Sequence, residues 1–196
     1  MKHAAGQNMV FRLLRSLKNL VFLNTLLLRH RFDSEETEMT YEFINVDMEK
    51  CSGCRVCEFA CSMEKVKAFN PTKSRIRVVR IYPHTNAALN CRICENAPCI
   101  LACPSKALSR SKSNGVIIVD DQLCDGCGWC IKACKFGSIS LDPKPTVRIC
   151  DLCSEREKGP ACIEWCPEDA LELTTNDRLA QKARIKTMNL LEQTVD

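Results

Sequence analysis

The chain has 196 residues, enough for one domain or two small ones, and 45% of them are hydrophobic, so a packed core is within reach. Only 6% are aromatic while 16 residues are cysteine, a share at which cysteine chemistry dominates the fold. The formal net charge of +4 counts every cysteine as a neutral thiol, so it makes no case for a nucleic-acid partner.

Residues 1–38 read differently from the rest. Up to Arg31 they carry six Lys or Arg and no acid, and the acidic stretch DSEETE follows. Apolar residues at Val10, Leu13, Leu14, Leu17, Leu20 and Val21 fall on one face of a helix. The stretch is a poor secretory signal: Arg15, Lys18 and Asn24 interrupt the apolar run, no small-residue cleavage site follows, and there is no twin-arginine pair. The same charges argue against a transmembrane segment, which needs about 20 largely apolar residues. The chain is therefore expected in the cytoplasm, where thiols stay reduced and a disulfide framework is disfavoured. Residues 10–28 are expected to dock on a partner or on another copy of the chain. The alternatives are a basic helix lying on a membrane surface, and a disordered segment or upstream start ahead of Met39.

From residue 39 the cysteines set the pattern. TYEFINVDMEKC reads as a strand leading into the first group, Cys51, Cys54, Cys57 and Cys61. RIRVVRIYP is another strand, and the second group follows it: Cys91, Cys94, Cys99 and Cys103, then Pro104. PSKAL is expected to form a short helix. LSRS and VIIVDD flank KSNG, whose Asn114-Gly115 pair signals a hairpin turn. The third group is Cys124, Cys127, Cys130 and Cys134. SISLD and TVRIC repeat the strand pattern around Pro143 and Pro145, and the fourth group comprises Cys150, Cys153, Cys162 and Cys166, then Pro167. NDRLAQKARIKTMNLLEQ reads as a helix capped by Thr175 or Asn176. No cysteine is left outside a group.

Groups one and three have the spacing C-x₂-C-x₂-C-x₃-C, which in bacterial ferredoxins holds [4Fe–4S] clusters. Three cysteines on a tight loop bind three irons of one cube. The fourth, expected at the start of a short helix, serves a different cube. Groups two and four keep this logic with a longer gap before the third cysteine. A C-x₂-C pair alone is weak evidence; four groups that share an x₃ ending are strong evidence. Zinc sites usually show two ligand pairs about 12–20 residues apart, often with histidine. Here each group has four cysteines and the chain has 3 histidines in all. With four such cubes bound, the net charge would fall to about −4.

These groups resemble the four-cluster electron-transfer subunits of anaerobic oxidoreductases, over about residues 40–175. That family includes the iron–sulfur subunits of dimethyl sulfoxide reductase, formate dehydrogenase, hydrogenase and carbon monoxide dehydrogenase complexes. Within it, CSGCRVCEFACSMEK with NPTKSRIRVVRI is most similar to the small subunit that accompanies tungsten aldehyde oxidoreductases. The resemblance implies an α+β fold of two pseudo-symmetric bacterial-ferredoxin-like units, each with two clusters, built from short strands and helices. It sits in residues 39–175, between the helical extension 1–38 and a C-terminal helix, 176–196. The resemblance also implies nested ligand sets. Cys91, Cys94, Cys99 and Cys134 would hold one cluster, and Cys124, Cys127, Cys130 and Cys103 the next. Cys51, Cys54, Cys57 and Cys166 would hold a third, and Cys150, Cys153, Cys162 and Cys61 the fourth. Spacing alone leaves the choice between this and pairing one with two open. Cys61 and Cys134 lack the following proline and have Ser62 and Lys135 instead, which is expected to change local helix starts.

Cubes with four cysteine ligands have no open coordination site and suit one-electron transfer. The histidines 3, 30 and 84 accompany no obvious nucleophile, so no catalytic set is expected. Trp129 and Trp165, inside cysteine groups, are expected to shield clusters from water. Lys50, Arg55, Arg92, Lys132 and Lys135 would raise cluster potentials, and Glu58, Glu95 and Asp125 would lower them. The expectation is a relay without a substrate site of its own. A catalytic tungsten or molybdenum subunit stands at one end, and a flavin-containing NAD-linked subunit or a ferredoxin at the other. Head-to-tail contact through residues 10–28 would line clusters up as a wire. Subunits of molybdenum, formate dehydrogenase, hydrogenase or CO dehydrogenase complexes are the near alternatives, and an iron–sulfur redox sensor the distant one.

Overall fold

Each cysteine group is preceded by one short strand and followed by another. The computed structural model describes residues 41–81 and 85–193. The expectations for residues 1–38 and for His84 lie outside them. The strands are β1 (Phe43–Val46), β2 (Arg77–Ile81), β3 (Thr85–Leu89), β4 (Leu108–Arg110), β5 (Ile117–Val119), β6 (Ser140–Leu141), β7 (Val147–Arg148) and β8 (Leu171–Thr174). The strand leaving one group pairs antiparallel with the strand entering the next: β2 with β3, β4 with β5, β6 with β7. The last strand returns to the first, with Phe43 opposite Thr174 and Val46 opposite Leu171. The four groups thus sit between four two-stranded ribbons joined in a closed circuit. The strands are short because each is spent as soon as the chain must turn to supply cysteines.

The helices are α1 (Val56–Val66), α2 (Pro98–Leu101), α3 (Trp129–Ala133), α4 (Ala161–Glu164) and α5 (Asn176–Glu192). The first four carry the third cysteine of each group: Cys57, Cys99, Cys130 and Cys162. This corrects two expectations. The fourth cysteine does not begin a helix, and PSKAL forms a turn and then strand, not a helix. In groups two and four the physical reason lies in proline. Pro98 begins α2, where its missing N–H costs nothing. Pro104 and Pro167 then disfavour helical backbone at Cys103 and Cys166, so those helices stop. At Cys61 the next residue is Ser62, and α1 runs on for a further turn and a half to Val66. Ser62 is fully buried; its hydroxyl donates to Phe59 O and accepts the Asn70 N–H. At Cys61 the missing proline leaves the helix free to run on, whereas at Cys134, followed by Lys135, α3 still stops at Ala133.

Helix α1 packs on α4, and α2 packs on α3. Groups one and four are neighbours on this account, and so are groups two and three. The core between them contains Phe43, Ile44, Ile76, Leu108, Ile139 and Leu171 together with the buried cysteines. Helix α5 is capped by Thr175, whose hydroxyl accepts the Arg178 N–H at 3.3 Å. None of its residues is buried; Arg178 pairs with Glu42 and Lys186 with Glu49.

Candidate cluster sites

The C-x₂-C loops share one backbone device. The residue before the second cysteine has positive φ in all four groups: Gly53 (71°), Ile93 (47°), Gly126 (70°) and Leu152 (56°). This tight turn aims the same residue's N–H at the first cysteine, as for Ile93 on Cys91 and Leu152 on Cys150. Groups one and three use glycine, for which that conformation carries no Cβ penalty. At Gly126 a side chain would also meet the Pro145 backbone at 3.1 Å. Asp125 and Asp151 steady the loops of groups three and four, each accepting the N–H of the second cysteine at 3.1 Å.

A second device follows the fourth cysteine. Lys106, Gly137 and Asp169, each three residues on, have positive φ of 54°, 59° and 46°. The next backbone N–H, of Ala107, Ser138 or Ala170, then turns back to the sulfur of Cys103, Cys134 or Cys166. The residue after that enters the core: Leu108, Ile139 and Leu171 are all buried. In group one the longer helix displaces this turn, and the Arg75 N–H reaches Cys61 Sγ from 14 residues away at 3.3 Å, with Ile76 buried next to it. Burial pushes the Cys103 and Cys134 thiols up. The hydroxyls of Ser105 and Ser138 and the surrounding N–H groups outweigh it, leaving both below the ordinary thiol value.

Cys91, Cys94, Cys99 and Cys134 line one cavity of about 50 Å³. Cys51, Cys54, Cys57 and Cys166 line another, of about 20 Å³. The remaining cysteines also lie near one another: Cys130 responds to the charge of Cys124 and Cys103, and Cys162 to that of Cys150, Cys61 and Cys153. Cys150 in turn feels Cys91, so the two middle sets are neighbours. Burial is the main cause of raised thiol values, with Cys57 pushed up to about 12 and Cys91 and Cys130 to about 11. Buried thiols this weakly acidic ionise only when a cation replaces their protons. Cys54 and Cys127, the second cysteines of groups one and three, are exposed.

Among the described residues, no three His, Cys, Asp or Glu side chains converge on a point as a single metal ion requires. Two sets of four cysteines line cavities instead. With backbone N–H groups aimed at them, this all-sulfur donor set fits a multi-iron core. Several supporting residues were not singled out from the sequence. Arg80 donates to Gly53 O at 2.6 Å, and Arg110 donates to the carbonyls of Cys94 and Glu95. Asp151 joins Lys65 at 2.7 Å to Arg75 at 2.6 Å, linking α1 and β2's approach to group four. The readable signal for Arg75, Ala107, Ser138 and Ala170 is their common place just ahead of an apolar residue at the head of a strand.

Residues that were singled out fare unevenly. Arg92 lies 3.9 Å from the Phe43 ring centroid and lines the group-two cavity together with the exposed Lys135; Arg55, also exposed, lines the group-one cavity, and Lys50 and Lys132 are exposed. Glu58 is buried and accepts the Val78 N–H at 2.6 Å, a structural role. Trp129 and Trp165 are 57% and 49% exposed, so neither is buried as a shield would be.

Fold and donor set together define an iron–sulfur protein of the ferredoxin type. The description "4Fe-4S dicluster domain" matches residues 84–176. The polyferredoxin-like subunit of the aliphatic sulfonate oxidoreductase of Pyrococcus furiosus is 40% identical over 140 residues, 69% of this chain and 79% of that one. Electron transport protein HydN of Escherichia coli is 35% identical over 162 residues, 71% and 91% of the two chains. Formate hydrogenlyase subunit 2 of Escherichia coli is 31% identical over 179 residues, 74% and 87%. The chain matches only 24% of the length of the longer Escherichia coli protein AegA, at 38% identity. Among solved structures, the active site complex BamBC of benzoyl coenzyme A reductase with benzoyl-CoA matches 79% of this chain and 96% of that one, at 22% identity and a TM-score of 0.40. The chain belongs to the family of [4Fe–4S] polyferredoxin-type electron-transport subunits. No helix among the described residues is long and apolar enough to cross a membrane.

Proposed function

We propose that this protein is a non-catalytic relay subunit that holds four [4Fe–4S] clusters on its sixteen cysteines, in the nested sets described above. Bound there, the clusters supply one-electron transfer with no coordination site open to substrate. The chain's own residues hold the irons, exclude water from the middle sets and aim N–H groups at the sulfurs. The observation that carries the reading is that the fourth cysteine of a group lines the cavity of a different group: Cys134 with Cys91, Cys94 and Cys99, and Cys166 with Cys51, Cys54 and Cys57. The packing of α1 on α4 and of α2 on α3 supports two pseudo-symmetric two-cluster units.

The exposed Cys54 and Cys127 mark the ends at which electrons enter and leave. A catalytic tungsten oxidoreductase subunit is proposed at one end and a flavin-containing NAD-linked subunit or a ferredoxin at the other, with the whole working in an anaerobic cytoplasm. Residues 1–38 serve association with a partner or a second copy. Similarity to formate hydrogenlyase subunit 2 favours a second reading of the partner, as a formate- or hydrogen-metabolising complex. Metal analysis of the native, anaerobically purified complex decides: tungsten is expected, while molybdenum or nickel at one per complex would move the partner to the second class.

A further inference from the structure

The fourth cysteines are not served alike. Cys61 and Cys166 receive backbone N–H groups from Arg75 and Ala170. Cys134 has in addition a side-chain partner, the Ser138 hydroxyl, with Oγ 3.3 Å from its sulfur. Ser138 is 8% exposed and lines the cavity that Cys91, Cys94, Cys99 and Cys134 share. Its place in the turn is taken by buried Ala107 and Ala170 in groups two and four, so a side chain without a hydroxyl fits this turn. The other hydroxyl near a fourth cysteine, Ser105 beside Cys103, stands farther off at 3.6 Å and is only partly buried.

We propose that Ser138 is a positioning residue whose hydroxyl raises the reduction potential of the cluster held by Cys91, Cys94, Cys99 and Cys134. The proposal rests on the cluster reading above. A cysteine sulfur bound to iron carries no proton, so in this contact the hydroxyl must donate. When one electron enters a [4Fe–4S]²⁺ core to give [4Fe–4S]¹⁺, no bond is made or broken, and the added negative charge spreads onto the sulfurs. A donor fixed against one of those sulfurs therefore favours the reduced state, as hydrogen bonds to cluster sulfurs do in general. Burial keeps water from substituting for the hydroxyl. The effect places an electron preferentially in a middle set of the relay, next to Cys150 of the neighbouring set.

The test is an EPR-monitored redox titration, with dithionite as reductant, of the full chain carrying Ser138→Ala and, separately, Ala170→Ser, each with its iron content measured. Ser138→Ala should keep its iron and lower one cluster's midpoint. At fixed potential the reduced-to-oxidised ratio of that cluster should fall roughly tenfold, about 59 mV for one electron. Ala170→Ser should raise a different midpoint, that of the set containing Cys166. Full iron with every midpoint unmoved by Ser138→Ala overturns the proposal, as does loss of iron from Ser138→Ala, which would make the hydroxyl structural. Absence of iron from the unsubstituted chain overturns the cluster reading itself.

Discussion

Asp151 ties two cysteine groups together, and its removal gives a worked expectation. One carboxylate oxygen meets Lys65 at 2.7 Å and Arg75 at 2.6 Å, and the other accepts the Cys153 N–H at 3.1 Å. Burial pushes its carboxyl up, but Lys65 and Arg75 outweigh this and hold it below its ordinary value. A hydrogen bond to a charged group is worth about 1.5–3 kcal/mol when well shielded. The side chains of Lys65, Arg75 and Asp151 keep 13%, 28% and 25% of their exposure, so solvent screens part of this. Asp151→Ala should therefore cost about 3 kcal/mol, on the order of 100-fold in the folding equilibrium. Asp151→Asn, which can keep the bond to the Cys153 N–H, should cost about 1 kcal/mol less. The assay is anaerobic guanidinium unfolding, followed by cluster absorbance and tryptophan fluorescence. Lys67→Ala serves as control; it removes an exposed 3.7 Å pair with Glu64 and should cost under about 0.5 kcal/mol. An Asp151→Ala midpoint equal to that of Lys67→Ala would refute the reasoning.

Three further expectations follow from particular residues. Gly126→Ala and Gly128→Ala both place a side chain at positive φ, at about 1–2 kcal/mol, but only the first also meets backbone, at Pro145; thermal cluster loss should come earlier in Gly126→Ala, and equal midpoints would dismiss the contact. Cys134→Ala and Cys91→Ala should abolish or alter the same EPR signal, and Cys124→Ala and Cys103→Ala a different one; matching signals for Cys134→Ala and Cys124→Ala would undo the nesting. Asp142 is held below the usual carboxylate value by the Arg148 guanidinium. A carboxyl lowered in the folded state stabilises it fully above the unfolded value near 3.9, and loses that stabilisation as pH falls through the lower folded value. Asp142→Asn should accordingly weaken the protein at pH 6 and flatten the loss of stability below about pH 4, as read by circular dichroism; an unchanged acid profile would remove Asp142 from the account.

Much of the local structure was legible because cysteine and proline punctuate it. The strands around KSNG, RIRVVRI and TVRIC lie where turn residues and β-branched runs put them, and Thr175 caps α5. Spacing does not say which side of a fourth cysteine is helical; Pro98, Pro104 and Pro167 mark it in groups two and four, while α3 stops at Ala133 with no proline after Cys134. Strands β3 (TNAAL) and β8 (LELT) carry weak strand signals and owe their existence to partners, β8 to a strand 127 positions earlier in its Asn45–Glu172 pair. The Ser138 and Arg75 contacts leave only a positional signal in the sequence, because they exist once a turn or a long excursion brings a hydroxyl or a backbone N–H against sulfur. Trp129 and Trp165 show the limit of reading position in a motif as burial, since both lie beside cysteines and remain half exposed.

The most direct test of the central claim is iron and acid-labile sulfide per chain in the anaerobically purified protein, with zinc measured in the same sample. Four cubes on sixteen cysteines predict about 16 irons, an equal amount of sulfide and negligible zinc. Iron near zero with stoichiometric zinc would contradict the account.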